Sequence, residues 1–379
     1  MARSFKPQLT IDLLLPIDVT FFRDVLLGVR AFSRLGKPWT LNVRRDDEHF
    51  LDALAGHKPD AALGALFSPP ILDAVGAAGI PAVNVSGRDW STLPSVIGDN
   101  HAIGRLAAEH FLACGFERFA FVGGDTLFGR ERQDGFSARL EEEGFSCEMR
   151  GDRADGWWLE IPPPLALFAE NDGVAERLVS ECFRAGRAVP EEAAVLGVDN
   201  DSVACELSEV PLSSIDPAAG RIGYLAAELL EQLVDGGTVP EHPIRVSPVG
   251  VVHRPSTDVF AVDDPDLAAA MRVIAQRACE PITVEQVMEH MRVSRRTFEK
   301  RFKARFARTP HDEIRRVQFE QARRLLAETD WTIVEIAHHI GHSDPKRFIT
   351  LFGKAFGDPP GAYRRKLRSG VPGPARQGG

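Results

Sequence analysis

Over residues 1–257, short apolar runs alternate with longer segments whose apolar positions recur every three or four residues. "LTIDLLLP" is a leucine-rich, β-branched run, and "FFRDVLLGVRAFSRLG" follows with helical spacing and a closing glycine. "WTLNVR", "AALGALF", "PAVNVSG", "FAFVGG", "LALFAEN" and "AVLGVDN" each predict a short strand ending in small or polar residues, with helices between them. Such alternation predicts an α/β fold with parallel sheets covered on both faces. Ligands of such sheets bind beyond the carboxyl ends of the strands. The loops after "LLLP", "NVSG", "FVGG", "FAEN" and "GVDN" are therefore where chemistry is expected.

The polar, acidic stretch "TDVFAVDDPD" breaks the alternation and predicts a linker over 258–266. From 267 to 370 the periodicity is helical throughout, ahead of a flexible tail over 371–379. Within the helical part "TVEQVMEHMRVSRRTFEKRFKARFARTP" lies over "TIVEIAHHIGHSDPKRFITLFGKAFGDPP", offset by 49 residues before the turn and 50 after it. Phe298, Phe302 and Phe306 fall on Phe348, Phe352 and Phe356. Each copy predicts a short helix, a tight turn and a second helix with an aromatic stripe, which is a helix-turn-helix used twice in an all-α domain.

On a wheel of about 100° per residue the phenylalanines of the first copy share one face, with Arg296, Lys300 and Lys303 roughly opposite and Thr297 beside them. A helix anchored from behind and positive in front suits the major groove of double-stranded DNA. Arg296 and Thr297, near the helix start, are expected at base edges. Lys300 and Lys303 are expected on phosphates, and Arg295 is counted with this group. Lys346, Arg347, Thr350 and Lys354 continue the outward face in the second copy.

Charge sharpens this division. The whole chain of 379 residues carries a net −9, which alone argues against nucleic acid. Residues 267–379, however, hold 22 Lys+Arg against 12 Asp+Glu, a net +10, and residues 1–266 hold 23 against 42, a net −19. Two units with different partners are implied. The five cysteines are widely spaced with no CxxC pair, so reduced thiols and no zinc site are expected. No apolar run reaches the roughly 20 residues of a membrane helix and no secretory leader is evident, so a cytoplasmic protein is expected. There is no GxSxG, HExxH or Walker-type loop, and "GGDTLFG" lacks the dinucleotide spacing, so an enzyme is not expected.

The ligand candidates in the acidic part are Asp18, Phe21, Phe22 and Arg23 after the first strand, Asn84 and Ser86 in "NVSG", Arg132 in "RQDGF", Asn171 beside Asp172 in "AEND", and Asp199 beside Asn200 in "GVDN". Carboxylates, amides and guanidinium groups are what a polyhydroxylated sugar needs, because each buried hydroxyl must stay paired. Aromatic rings supply the apolar face on which a sugar stacks. Equally open at this level is the reading in which Asn and Asp at strand ends only form turns and helix caps.

Two resemblances extend these readings. Residues 267–368, and above all "RVQFEQARRLLAETDWTIVEIAHHIGHSDPKRFITLFGKAFGDPPGAYRR", resemble the AraC-type DNA-binding domain. His342 and Pro359 depart from its usual pattern. This implies two helix-turn-helix units joined by one helix and entering adjacent major-groove segments. Roughly residues 8–257, through "VIGDNHAIGRLAAEHFLACGFERFAFVGG", "RQDGFSARLEEEGF", "VPEEAAVLGVDND", "RIGYLAAELLEQLVDGG" and "VVHRPST", resemble the effector core of LacI/GalR-type regulators, itself similar to periplasmic sugar-binding proteins. That implies two α/β lobes, three crossovers and a sugar in the interlobe cleft, with the positions matching Arg132, Asn171 and Asp199 facing it. Asn84 stands where that family often has a carboxylate. LacI-type regulators begin with their own helix-turn-helix, whereas this chain starts on its first strand and carries its DNA reader at the other end. The fusion and its "RPSTD..AV.DPD...AM" junction resemble the bacterial xylose-operon regulators. The resemblance implies D-xylose as effector, no cofactor or metal, a homodimer on paired operator half-sites, and RNA polymerase as partner of an activator. Alternatives are a regulator of another sugar or sugar alcohol, a sugar-binding transport component, and a sugar-modifying enzyme with a regulatory tail.

Overall fold

The computed structural model describes residues 8–36, 39–87, 92–149, 156–259, 264–289, 291–306 and 308–369. The chain divides into two compact units, the first comprising 1–102, 125–132 and 217–248, the second 103–124, 133–216 and 249–379. The first holds β1 (Leu9–Leu14), α1 (Thr20–Ser33), β2 (Trp39–Arg44), α2 (Asp47–Gly56), β3 (Ala61–Gly64), α3 (Pro69–Ala78), β4 (Ala82–Asn84) and β5 (Val96–Gly98). Helix α4 (Asn100–Cys114) leads into the second, which holds β6 (Phe119–Val122), most of α5 (Leu127–Glu141), β7 (Cys147–Met149), β8 (Leu165–Ala169), α6 (Asp172–Arg184), β9 (Ala193–Val198), α7 (Ser202–Leu207) and β10 (Ser213–Asp216). The chain then returns to the first unit for α8 (Ala219–Val234) and β11 (Ile244–Val246), and β12 (Gly250–Val252) rejoins the second.

The sheet of the first unit has the order β2-β1-β3-β4 and is parallel throughout, with a separate parallel pair of β11 and β5. The second has the order β12-β10-β9-β8-β6-β7, in which only β12 runs antiparallel. The seven strands named above appear where expected, as β1, β2, β3, β4, β6, β8 and β9. The five others were not legible, because they are three or four residues long and β10 reads SSID rather than as an apolar run. Ser213 and Ser214 are nonetheless fully buried, and their hydroxyls donate to the Arg254 carbonyl (2.8 Å) and to Asp172 (2.6 Å). Hydrogen bonding in place of hydrophobicity lets this strand sit in a core.

One core of the first unit joins Ile11, Leu13 and Val83 of the sheet to Val25 and Val29 of α1 and to Ile222, Ala226 and Leu230 of α8. α1 and α8 approach at backbone distance. A Cβ on Gly28 would lie 1.9 Å from the Gly220 carbonyl oxygen, and one on Gly223 would lie 2.0 Å from that of Val25. Glycine costs about 1 kcal/mol in a helix interior, and the closeness it permits is what these positions require.

The helical head begins when Asp264 caps α9 (Pro265–Arg277), two residues earlier than the predicted boundary. Of the predicted linker, residues 260–263 lie outside the described residues, as do 370–379, which include the predicted tail. Then come α10 (Val284–Val287), α11 (Arg295–Phe306), α12 (Pro310–Glu328), α13 (Ile333–His339), α14 (Pro345–Phe356) and α15 (Pro360–Ser369). The repeat extends to the caps, since Thr283 with Gln286 and Thr332 with Glu335 form capping boxes 49 residues apart at the starts of α10 and α13. Ser294 and Asp344 accept from backbone amides at the starts of α11 and α14. The phenylalanine stripe is buried as expected, with Phe298, Phe302 and Phe306 in one core and Phe348 and Phe352 in another. Helix α12 joins the two cores, placing Ile314 in the first and Phe319, Ala322 and Leu326 in the second.

Gly223→Ala is expected to destabilise the protein by about 1–3 kcal/mol through overpacking, read as a lower thermal midpoint in calorimetry. Gly220→Ala, whose Cβ meets nothing nearer than 3.7 Å, is the control and should leave the midpoint unchanged.

Candidate functional site

The predicted ligand residues fall in both units. Asp18, Phe21, Phe22, Arg23, Asn84, Ser86 and Arg132 belong to the first, Asn171 and Asp199 to the second.

After β1 the chain turns through 15–19 into α1. Arg23 holds this turn by donating to the carbonyls of Ile17 and Asp18, each at 3.2 Å, and to the Thr20 hydroxyl. Asp18 is exposed. Phe21 and Phe22 meet edge-to-face at 5.2 Å and are partly buried against the core. Asn84 behaves differently from expectation. Its Oδ1 accepts from the amides of Leu66 and Ser86 (3.1 and 3.0 Å), and its Nδ2 donates to the Ser86 carbonyl and the Ser95 hydroxyl (3.0 and 3.3 Å). An asparagine side chain offers two donors and about two acceptor sites, so all four are committed within the protein. Asn84 is a strut between the ends of β3 and β4. Ser86 shares that turn through its backbone and is buried.

Arg132 is 5% exposed, donates from Nε to Asn100 Oδ1 at 3.0 Å, and lies over the Phe128 ring at 5.0 Å. Asn100 in turn donates to Glu131 (3.2 Å), which takes Arg245 in a two-point ion pair at 2.7 and 3.1 Å. Burial raises the Glu131 carboxyl, but Arg245 outweighs it and holds the group below its usual range. Sequence reading missed Asn100, Phe128, Glu131 and Arg245. Asn100 does follow strand-like "VIGD" directly, which was the available signal.

In the second unit Asn171 caps α6, its Oδ1 accepting from the Val174 amide at 2.9 Å. Its Nδ2 lies 3.5 Å from Glu170. Asp172, 2% exposed, accepts from the Ser214 hydroxyl (2.6 Å) and the Asp201 amide (2.7 Å). Burial, reinforced by the neighbouring Asp199 carboxylate, pushes Asp172 up to about 7. Asp199 and Asn200 stand at φ +108° and +51°, both in the left-handed region. Non-glycine residues there cost of order 1–3 kcal/mol each and cluster at functional sites. Asn200 is held by Arg254 (3.0 Å) and by Ser214 (2.9 Å).

In the head, internal pairing sorts the cations. Arg295, counted among the DNA-binding residues, is ion-paired with Glu285 of α10 and with Glu299 (2.7 Å), holding the turn of the first copy. Arg301 pairs with Asp264 and Asp266. Arg296, Lys300 and Lys303 are exposed and form no ion pair among the described residues, and the same holds for Lys346, Arg347 and Lys354. Thr297 shares a hydrogen bond with Ser294 (2.8 Å), and Thr350 donates to the Lys346 carbonyl (3.1 Å). Each copy thus presents an exposed, unneutralised cationic face opposite buried phenylalanines.

Residues 108–257 match the family model of a periplasmic binding protein-like domain, and residues 287–366 that of a helix-turn-helix domain. The chain is 30% identical to the Xylose operon regulatory protein of Escherichia coli (strain K12), over 95% of this chain and 98% of that one. Its likeness to the Xylose operon regulatory protein of Haemophilus influenzae is 29%, over 93% and 97%. Among solved structures the xylose-binding transcription activator xylR aligns with a TM-score of 0.62 at 29% identity, over 95% of this chain and 99% of that chain.

The pKa of Asp172, about 7 against 3.8 unperturbed, means that the native state holds this proton more tightly than the unfolded chain. Its contribution is therefore fully present below about pH 4 and is lost as pH rises towards 7. Asp172→Asn, which keeps only one acceptor, should be less stable than the parent at pH 4, and the gap should narrow by pH 8. Denaturant midpoints across that range check this; a gap independent of pH would place the proton on another group.

Proposed function

The chain belongs to the family of the xylose operon regulatory proteins, and on that premise we propose that it is a D-xylose-responsive, DNA-binding regulator that activates genes of xylose catabolism. The observation that carries the reading is that one similarity runs through both modules, over 95% of the chain, while the head keeps two cationic, unpaired reading faces.

In this reading Arg132, Asn171 and Asp199 are the principal sugar contacts. Arg132 is held in place by Asn100 and Phe128, which fixes its guanidinium before the sugar arrives. Asp199 stands on strained backbone at the end of β9, and Asn171 offers an amide beside the Glu170 and Asp172 carboxylates. Asp18, Phe21, Phe22, Arg23 and Ser86 complete the effector set, and Asn84 supports them from behind. The sugar is the sole small molecule required, with no cofactor or metal, and the chain has no catalytic role. Arg296 and Thr297 contact base edges, together with Lys346 and Arg347 of the second copy, whereas Lys300, Lys303, Thr350 and Lys354 lie on the backbone. The regulator works in the cytoplasm as a homodimer whose two heads occupy paired half-sites, where it engages RNA polymerase. Sugar binding shifts the population towards the form that fits those half-sites, by as much as its affinities for the two forms differ.

Isothermal calorimetry with D-xylose, L-arabinose, D-ribose and D-glucose tests the effector. D-xylose should bind tightest, with Arg132→Ala or Asp199→Asn weakening it at least about ten-fold, equivalent to 1.4 kcal/mol. Heat with none of the aldopentoses would sink the assignment. In binding selections from random duplexes, Arg296→Ala should lose about 1–3 kcal/mol of discrimination at one base position while keeping most non-specific affinity. A uniform loss across sequences would move Arg296 to the phosphates.

A further inference from the structure

Another set of polar contacts lies inside the second unit, where the head meets the lobe carrying Asn171 and Asp199. Helix α4 ends at Cys114, and Gly115 follows at φ +85°. The chain's own turn satisfies two of the last carbonyls, with Gly115 and Phe116 amides donating to Leu112 (3.0 Å) and Phe111 (3.2 Å). The next carbonyls are taken by the head. Arg305 of α11 donates to the Gly115 carbonyl at 2.6 Å and pairs with Glu117 at 3.2 Å. Arg308, just beyond α11, donates to the Ala113 carbonyl at 3.4 Å. A helix carboxyl end carries partial negative charge, so cations there are doubly suited.

These arginines are themselves braced. Glu313 of α12, 1% exposed, accepts from Arg308 and, at 2.8 and 3.0 Å, from Arg316. Burial raises its carboxyl, and the two guanidinium groups more than offset this, so it stays charged below the usual range. On the lobe side His110 of α4 is 8% exposed, with its ring 5.0 Å from that of His253, which follows β12. Burial, with the Arg316 charge nearby, keeps its imidazole neutral. All the while Arg296, Thr297, Lys300 and Lys303 stay exposed on the same α11. The contact uses the carboxyl end of the reading helix and leaves its reading face open.

We propose that Arg305 and Arg308, braced by Glu313, dock the head on the carboxyl end of α4, so that the head follows the lobe carrying Asn171 and Asp199 when the effector binds. The docking contact is thus the joint through which sugar is felt at DNA, and this rests on the reading of the chain as a sugar-responsive regulator. Arg305 and Arg308 are positioning residues, acting on DNA through the placement of α11.

The test uses the full chain, the double variant Arg305→Ala/Arg308→Ala, and the duplex that the parent protein selects from a random pool. Affinity for D-xylose and sugar-free affinity for the duplex should stay within about three-fold of the parent. The ratio of duplex affinities with and without D-xylose, expected at about 5–150 in the parent, should fall towards one. Amide hydrogen exchange over 113–117 should accelerate at least about ten-fold, as local opening there becomes easier. A full sugar effect in a variant whose α4 end exchanges fast overturns the proposal, and so does unchanged exchange. Should the double variant fail to fold, Glu117→Ala removes only the exposed ion pair, and a partial fall of the same ratio is expected, with no fall counting against the joint. A parent protein whose DNA binding ignores every sugar would instead remove the regulator reading, and exchange alone would then decide the docking.

Discussion

A strand buried on both faces can hold a polar side chain only where a partner is supplied, within the core as on β10 or at the strand's end. β8 and β9 are buried at every position, and the loops that leave them must supply partners for whatever the sheet leaves unpaired. Glu170, Asn171 and Asp172 follow β8, and Asp199, Asn200 and Asp201 follow β9. The concentration of carboxylates and amides there is forced by the fold before any ligand is considered. Asn171, Asp201 and Asp172 already serve the protein there, as helix caps and as a partner of Ser214. Asp172 is the limiting case, a carboxyl so enclosed that it holds a proton near neutrality.

The head solves a related problem with helices. Its phenylalanines fix which side of α11 and α14 faces inward, and acidic residues nearby neutralise the cations needed for assembly. Arg295, Arg301, Arg305 and Arg308 all serve the protein itself. The exposed cations Arg296, Lys300, Lys303, Lys346, Arg347 and Lys354 are the remainder. Net charge locates a nucleic-acid-binding domain, but only the pairing pattern says which of its cations are available to phosphate or base.

Much of this was legible in the amino-acid sequence, and the reasons are physical. Apolar runs of four or more residues, and a stripe recurring every four, report burial directly, so β1, β8, β9, α11 and α14 could be read from pattern. Of the three-residue strands, β4 was legible within "PAVNVSG", but β5, β7, β11 and β12 carry too few positions to show a period, and β10 hides behind serines whose burial depends on Asp172 and Arg254, tens of residues away. Asn84 and Arg295 have the right chemistry at the right strand end or helix start, yet their partners, Leu66 and Glu285, are tertiary neighbours that no local spacing reveals. The Glu131–Arg245 pair, formed across 114 positions of chain, is out of reach for the same reason.

The two halves of the head have separate hydrophobic cores, bridged by α12 and by the end of α9, where Ala278 belongs to the first and Cys279 packs on the second. Errors are therefore contained. A substitution that loosens the core around Phe348 need not disturb the one around Phe302, and the exposed faces of α11 and α14 can change without unfolding each other. What cannot drift is the length of α12. One residue more or less would turn one core against the other by about 100° and shift it about 1.5 Å along the helix axis. The outward residues of each helix are free to change, while the phase between α11 and α14 is fixed by the length of α12.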